Sequence, residues 1–284
     1  MRGRLGAVLA ASVLAAAACS SGAAHAPTTA PATPPPTAAA ESAAPTAAPA
    51  SLTIYGASSL KAVLAKIKTA YQTANAGTTL TVSTDSSSAL ETKIEQGAPA
   101  DVFLSADTAN PQKLVDKGLA TGSVTKFAGN TLTVIVPSGN PASIQTPVDL
   151  ARTGVKVIAA GDTVPITKYA NQLVANLAKA AGYPTDFAAR YAANIVSKQD
   201  NVAAVVSQIE LGEGDAAIVY ATDAKTSTKV ATVAVPTAAN VPATYGGVVV
   251  KASANAAAAQ AFLFWLAGAD GQSILASFGF LPAQ

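Results

Sequence analysis

Two turns rich in serine combine hydroxyl groups with the expected start of a helix. One turn is Gly56-Ala57-Ser58-Ser59-Leu60 and the other is Asp85-Ser86-Ser87-Ser88-Ala89-Leu90. Each turn follows a short strand-like run and opens into a helix-like run. A serine at such a position ordinarily caps the helix by accepting a backbone N–H. Two such helix starts that face one cleft would instead bind an anion, through free N–H groups and the positive ends of the helix dipoles.

Enzymatic alternatives are less well supported by the sequence. Ser58 and Lys61 match the S-x-x-K pattern of penicillin-binding enzymes, so a serine acyl-enzyme is a distant alternative. No Ser-Asp-Asn element follows this pair, which argues against that alternative. Four carboxylates near predicted strand ends are expected to be caps or surface charges rather than an acid–base pair. They are Asp101, Asp107, Asp215 and Asp223.

The first 50 residues are not expected to belong to the fold. Arg2 and Arg4 precede an apolar run of about 14 residues, which is typical of a secretory signal and too short to span a bilayer. The signal peptide is predicted over residues 1–18, and Cys19 after it is expected to carry a lipid, because the segment resembles a bacterial lipoprotein signal. Residues 19–50 are mostly Ala, Pro, Thr and Ser, which predicts a disordered tether.

The composition of the rest of the chain excludes several classes of function. Removal of Arg2 and Arg4 lowers the 18 Lys and Arg residues to 16, against 16 Asp and Glu residues, so the mature chain is nearly neutral. No basic stripe is visible, so no nucleic-acid partner is expected. The only His is His25, within the predicted tether, and the only Cys is Cys19. His and Cys metal sites and Cys or Ser-His-Asp catalysis are therefore excluded from the predicted domain.

Strand and helix patterns alternate from residue 51 to the C-terminus, which predicts an α/β fold with mostly parallel sheet. Several predicted helices stop at a glycine, including those before Gly97 and Gly212, and another is expected from about 167 to 181. In such sheets the ligand crevice lies beyond the carboxyl ends of the strands. Both serine turns, residues 163–167, residues 200–202 and Tyr220 are expected there. All of them offer neutral donors, which suit a fully ionised oxyanion.

Longer stretches of the chain give a specific resemblance. The residues from Ile94 to Asp107 read IEQGAPADVFLSAD, and those from Gly214 to Ala224 read GDAAIVYATDA. With the two serine turns, Gly129-Asn130-Thr131-Leu132, Gly161-Asp162-Thr163-Val164-Pro165 and Asp200-Asn201-Val202, these resemble the periplasmic molybdate-binding proteins of bacterial molybdate ABC importers. The resemblance runs from about Leu52 to the C-terminus in the family's order.

The resemblance implies a set of ligand-binding residues. Ser59 and Ser87 match the family's two serine hydroxyl donors, and Tyr220 matches its phenol donor. Val202 and Ile166 match positions that supply backbone N–H groups. The family commonly has Ala-Gly where this chain has Ile166-Thr167. The molybdenum would be held only as the oxyanion, with no direct bond between protein and metal and no cofactor.

The resemblance also implies a two-lobed type II periplasmic-binding-protein fold with a cleft between the lobes. Residues 51–129 and 236–284 would form lobe 1, and residues 130–235 would form lobe 2. The implied protein is not an enzyme. It is an exported monomer, anchored to the outer face of the cell membrane through Cys19, that delivers molybdate or tungstate to an ABC permease. A receptor for another tetrahedral oxyanion, such as sulfate or phosphate, is the alternative.

Overall fold

The computed structural model describes residues 49–283, all of which belong to one compact unit. The predicted signal peptide, Cys19 and residues 20–48 of the predicted tether lie outside the described residues. Within residues 49–283, no helix has both the length and the apolar character needed to cross a membrane.

The described residues form ten strands. They are β1 (Ser51–Ala57), β2 (Thr79–Asp85), β3 (Val102–Ser105), β4 (Ala120–Asn130), β5 (Leu132–Pro137), β6 (Val157–Ala160), β7 (Ile195–Gln199), β8 (Ala217–Tyr220), β9 (Val230–Val233) and β10 (Ala243–Val250).

Nine α-helices alternate with these strands in the described part of the chain. They are α1 (Lys61–Ala74), α2 (Ser87–Glu95), α3 (Ala109–Asp116), α4 (Pro165–Leu177), α5 (Phe187–Ala193), α6 (Val202–Glu210), α7 (Ala221–Lys225), α8 (Ala256–Ala267) and α9 (Ala269–Ser277). Two short 3₁₀ helices span Ser58–Leu60 and Pro147–Ala151.

The strands assemble into sheets that draw on different parts of the chain. One sheet has the order β2-β1-β3-β10-β4, a second has the order β8-β5-β9, and a third pairs β6 with β7. An isolated parallel bridge from Val157 to Ala216 connects β6 with the residue before β8. The first sheet thus uses strands from both chain ends, and the others use strands between them. The lobe boundaries at 129/130 and 235/236 stay a prediction.

The pairing directions explain where the serine turns lie. Strand β1 is parallel to β2 and β3, and β6 is parallel to β7. Strand β10 is antiparallel to β3 and β4, and β5 is antiparallel to β8 and β9. Because β1, β2 and β3 run the same way, the turns that follow them lie along one edge of the sheet. The predicted α/β class is confirmed.

Helix ends follow the sequence signals at several positions. The glycines Gly97 and Gly212, which follow α2 and α6, have φ of +86° and +76°, a left-handed conformation that other residues rarely adopt. The helix expected over 167–181 instead begins at Pro165 and ends at Leu177. Proline is well suited to a first helical position, where its missing N–H is not needed.

The sequence pattern did not predict strand β4 (Ala120–Asn130). It lies at the edge of its sheet, and its first seven residues are exposed or half-buried. An edge strand with little burial on either face has no reason to alternate apolar and polar residues, so its sequence carries a weak signal.

A large apolar core packs the helices against the sheets. Helix α1 buries Val63, Leu64, Ile67 and Tyr71 on one face, as its spacing predicts. The Tyr71 ring packs edge-on against Phe262 of α8, with ring centroids 5.0 Å apart. This core holds β1 and α1 rigidly, and the first serine turn lies between these two elements.

Candidate anion-binding site

A small cavity lies where the two serine turns meet the starts of α4 and α6. Its cavity volume is about 10 Å³. All five residues that the sequence resemblance selects line it, and no charged side chain does. The lining residues are Ala57, Ser58, Ser59, Ser86, Ser87, Ala106, Val164, Pro165, Ile166, Val202 and Tyr220. The role of the five as ligand-binding residues stays a prediction.

Ser59 and Ser87, two of the four serines that line the cavity, each have one hydrogen-bond partner. The backbone N–H of Ala106 donates to Ser87 Oγ at 3.0 Å. Ser59 Oγ lies 3.0 Å from Tyr245 Oη. Because the Ala106 N–H cannot accept, the Ser87 hydroxyl hydrogen is available to a ligand.

The neighbouring serine Ser86 has a different role. Ser86 Oγ accepts from the backbone N–H of Ala89 at 3.2 Å, so Ser86 caps α2 as the sequence predicts. This contact leaves Ser87, the first residue of the helix, turned toward the cavity.

Backbone N–H groups form the opposite side of the cavity. Ile166 is the second residue of α4, after Pro165, and Val202 is the first residue of α6. The first N–H groups of a helix have no intrahelical acceptor, so both are free to bind a ligand. Asn201 caps α6 by accepting from Ala204 N at 3.0 Å, which leaves the Val202 N–H available.

Tyr220 supplies a phenol whose hydroxyl has no partner among the described residues. Tyr220 is 1% exposed, and within residues 49–283 its Oη makes no hydrogen bond although it is fully buried. Burial is the main cause that raises the pKa of Tyr220 well above its usual value, so the phenol keeps its proton. A buried orphan donor costs free energy unless a ligand accepts from it. This hydroxyl is the clearest sign of a ligand site.

A buried polar network behind Ser59 was missed by the sequence reasoning. The side-chain amide of Asn130 donates to Thr222 Oγ1 at 2.8 Å and to Tyr245 Oη at 3.3 Å. Tyr245 is completely buried on β10, and its ring lies 5.6 Å from that of Tyr220. Asn130 falls in a stretch that carries the resemblance, but nothing in the sequence distinguishes Tyr245 from a core tyrosine.

Asp223 is the one carboxylate near the cavity that the structure sets apart. It is buried, and Asp223 Oδ2 has no hydrogen-bond partner in the part of the chain that the structure describes. Burial raises the pKa of Asp223 to about 7 despite a hydrogen bond with the Tyr220 backbone. The other three carboxylates accept from nearby donors. These donors are the Thr53 N–H for Asp101, the Ser105 hydroxyl for Asp107 and the Lys156 N–H for Asp215.

The two residues of the S-x-x-K pattern, Ser58 and Lys61, are not joined through their side chains in the described part of the chain. Lys61 is exposed at the start of α1, and no side-chain hydrogen bond joins it to Ser58 within residues 49–283. Among the described residues, no group of three or more His, Cys, Asp or Glu side chains could hold a metal ion.

Contacts across the rim of the cavity join the segment 51–129 to the segment 130–235. Ser88 Oγ lies 3.5 Å from Thr163 Oγ1, and the Asn201 amide lies 3.4 Å from Asp85 Oδ1. These contacts close the cavity on one side. The starts of α2, α4 and α6 and of the first 3₁₀ helix point their positive ends at the enclosed space. The arrangement can therefore stabilise negative charge without any Lys or Arg.

The chain is similar to known binding proteins over most of its length. A family described as bacterial extracellular solute-binding proteins matches residues 52–281. The molybdate-binding protein ModA of Mycobacterium tuberculosis is 32% identical over 231 residues, which cover 81% of this chain and 84% of that protein.

Solved structures give the same result. The periplasmic molybdate-binding protein of Azotobacter vinelandii matches with a TM-score of 0.70 and 25% identity, over 82% of this chain and 100% of that chain. The sulfate-binding protein SubI of Mycobacterium tuberculosis matches with a TM-score of 0.74 and 22% identity, over 82% of this chain and 87% of that chain. At that identity the second likeness shows the fold alone. The chain therefore belongs to the bacterial extracellular solute-binding proteins, and its resemblance to their molybdate-binding members is confirmed.

Proposed function

We propose that this protein captures molybdate or tungstate outside the cytoplasm and delivers it to the permease of an ABC importer. The observation that carries the proposal is the buried, unpartnered Tyr220 hydroxyl in a cavity lined only by neutral groups. The names of the relatives support molybdate as the ligand. The proposed ligand-binding residues are Ser59, Ser87, Ile166, Val202 and Tyr220.

The donor chemistry suits a fully ionised tetrahedral oxyanion. Three hydroxyls and two backbone N–H groups can each donate to an anion oxygen, and each such bond to a charged acceptor contributes roughly 1.5–3 kcal/mol. A handful of these bonds is enough for micromolar or tighter binding, on the order of −8 kcal/mol. The absence of a lysine or arginine in the cavity lining leaves the anion free to dissociate when the cavity opens.

Closure around the ligand would follow from the placement of the donors. In the two-lobed division, Ser59 and Ser87 belong to lobe 1, and Ile166, Val202 and Tyr220 belong to lobe 2. An anion held by both groups favours the closed arrangement, because only that arrangement makes all five contacts. The closed form would then dock on the permease. No step in this cycle makes or breaks a covalent bond, so the proposal includes no enzymatic activity.

Attachment to the membrane is a further part of the proposal. A lipid on Cys19 would hold an exported, monomeric binding protein at the outer face of the cell membrane, close to its permease. Metabolic labelling with a radioactive fatty acid in a bacterial host checks this, with Cys19→Ser as the control. Equal labelling of both proteins would contradict lipidation at Cys19.

Titration calorimetry of the chain lacking residues 1–18 tests the main proposal. Molybdate and tungstate should bind with micromolar or tighter affinity, and sulfate and phosphate should bind more weakly. Absence of molybdate and tungstate binding at millimolar concentration would refute the proposal. Tighter binding of sulfate or phosphate would support the alternative receptor.

A further inference from the structure

The hydrogen bonds behind Ser59 have a defined direction, which begins at the backbone. The Thr131 N–H donates to Asn130 Oδ1 at 3.0 Å. A backbone N–H can only donate, so the amide oxygen of Asn130 must face it and the NH₂ group must face the other way. Asn130 is 1% exposed, so no bulk water competes for these positions.

The orientation of the Asn130 amide determines the direction in which the Tyr245 hydroxyl donates. The Asn130 NH₂ group donates to Thr222 Oγ1 at 2.8 Å and to Tyr245 Oη at 3.3 Å. The oxygen of Tyr245 therefore acts as an acceptor toward Asn130, and its single hydrogen needs another acceptor. Among the described residues, the only other hydrogen-bond partner of Tyr245 Oη is Ser59 Oγ, at 3.0 Å.

The Ser59 hydroxyl then cannot donate to Tyr245. Its oxygen accepts from Tyr245, and no other described residue accepts its hydrogen, so this hydrogen is available to the cavity that Ser59 lines. Ser87 accepts from the Ala106 N–H, which cannot accept in return, so the Ser87 hydrogen is available to the same cavity.

We propose that Asn130 and Tyr245 are positioning residues that keep the Ser59 hydroxyl hydrogen from being used on Tyr245, so that Ser59 can donate it to an anion oxygen in the cavity. This inference rests on the proposed function and adds two residues to the support of its site.

The test is a double-mutant cycle in molybdate affinity between Tyr245→Phe and Ser59→Ala, measured by titration calorimetry on the chain lacking residues 1–18. Tyr245→Phe should weaken molybdate binding by about 3- to 10-fold when Ser59 is present, the size of one neutral hydrogen bond. In the Ser59→Ala background it should change the affinity by less than about twofold. The same factor in both backgrounds, or no effect in either, would overturn the proposed positioning role of Tyr245.

A matched control distinguishes the loss of the Tyr245–Ser59 contact from the loss of any buried phenol hydroxyl. Tyr191 is 4% exposed and lies in α5, outside the Asn130–Tyr245–Ser59 chain. Tyr191→Phe should leave molybdate affinity unchanged in both backgrounds. A loss of affinity in Tyr191→Phe equal to that in Tyr245→Phe would count against a specific role for Tyr245.

Two further outcomes, failure of Tyr245→Phe to fold and absence of oxyanion binding, can also be interpreted. If Tyr245→Phe does not fold, 3-fluorotyrosine at position 245 replaces it. This residue is a stronger hydroxyl donor, so it should tighten molybdate binding when Ser59 is present and have no effect in the Ser59→Ala background. If the unmodified protein binds no oxyanion, the proposed function itself fails. If the protein binds molybdate but the cycle shows no coupling between positions 59 and 245, only the positioning role of Tyr245 is refuted.

Discussion

The two sides of the cavity offer donors of different kinds. On one side, the proposed donors are the side-chain hydroxyls of Ser59 and Ser87, whose oxygens contact Tyr245 Oη and the Ala106 N–H. On the other side, the proposed donors are the backbone N–H groups of Ile166 and Val202 at helix starts. Side-chain donors are pre-aligned through their partners, whereas backbone donors are aligned by the helix itself. Substitution of the side chain should therefore weaken ligand binding readily at Ser59 and Ser87. At Ile166 and Val202 it should weaken binding only where it removes the N–H.

The largest expected effect is the loss of both serine hydroxyls. Each of Ser59→Ala and Ser87→Ala should weaken molybdate binding by roughly 1.5–3 kcal/mol, because each removes a bond to a charged acceptor. The double variant should bind at least about 100-fold more weakly than the unmodified protein. Titration calorimetry measures both losses. Ser83→Ala is the matched control, since Ser83 is exposed on β2 and does not line the cavity, and it should change the affinity little. Unchanged binding in Ser87→Ala would mean that Ser87 has only a structural role.

Tyr220→Phe should give a loss of affinity with no loss of stability. The variant removes one donor to the anion, which should weaken binding by roughly 1.5–3 kcal/mol. It also removes the buried hydroxyl that has no partner, so the free energy of unfolding without ligand should stay equal or rise. Calorimetry and urea denaturation measure the two quantities separately. Lower stability together with unchanged affinity would identify Tyr220 as a packing residue.

The backbone side can be tested at Val202, the first residue of α6. Proline is tolerated at that position because its backbone angle suits a helix start, and it removes the N–H. The preceding residue, Asn201, has φ of −157° and ψ of 167°, which is compatible with a following proline. Val202→Pro should therefore weaken binding by about tenfold or more. Val202→Ala keeps the N–H and should bind nearly as tightly as the unmodified protein. Equal losses in both variants would show that the side chain matters and the N–H does not.

We expect Asp223 to make the Tyr220 side of the cavity sensitive to pH. Burial raises the pKa of Asp223 to about 7 from its ordinary value of 3.8, so the folded protein keeps a proton that the unfolded chain releases. Its contribution to stability is therefore greatest below about pH 4 and is lost as the pH rises to about 7. Above that pH the carboxylate adds negative charge near the anion, and molybdate affinity should fall several-fold between pH 6 and pH 8.

Asp223→Asn tests whether the Asp223 carboxylate, rather than another titrating group, causes the pH dependence of affinity and stability. The variant should bind molybdate with nearly equal affinity at pH 6 and pH 8, and it should lose the decline in stability between pH 4 and pH 7. Calorimetry at the two pH values and urea denaturation across the range measure these effects. A pH dependence equal to that of the unmodified protein would assign the effect to another group.

The sequence is informative about the residues that line the cavity and less so about the residues that support them. The serine turns and the Tyr220 stretch are local patterns, because each donor follows directly from a strand end or a helix start. Tyr245, by contrast, reaches Ser59 across 186 positions of sequence. Its role depends on β10 returning antiparallel beside β3, and no local pattern encodes that return. The burial of Asp223 also depends on tertiary packing, so its altered pKa does not follow from its position near a strand end.

The smallest expected effect is that of Ile166→Ala. Ile166 is 2% exposed and lines the cavity, and it stands where the family commonly has alanine. If Ile166 contributes only its N–H, truncation should change molybdate affinity by less than about threefold while destabilising the fold by roughly 2–5 kcal/mol through the lost buried side chain. A changed preference between molybdate and the smaller sulfate would instead mean that the isoleucine shapes the cavity. Calorimetry with both anions on the unmodified protein and on Ile166→Ala decides between these roles, because a backbone donor should be indifferent to the side chain that accompanies it.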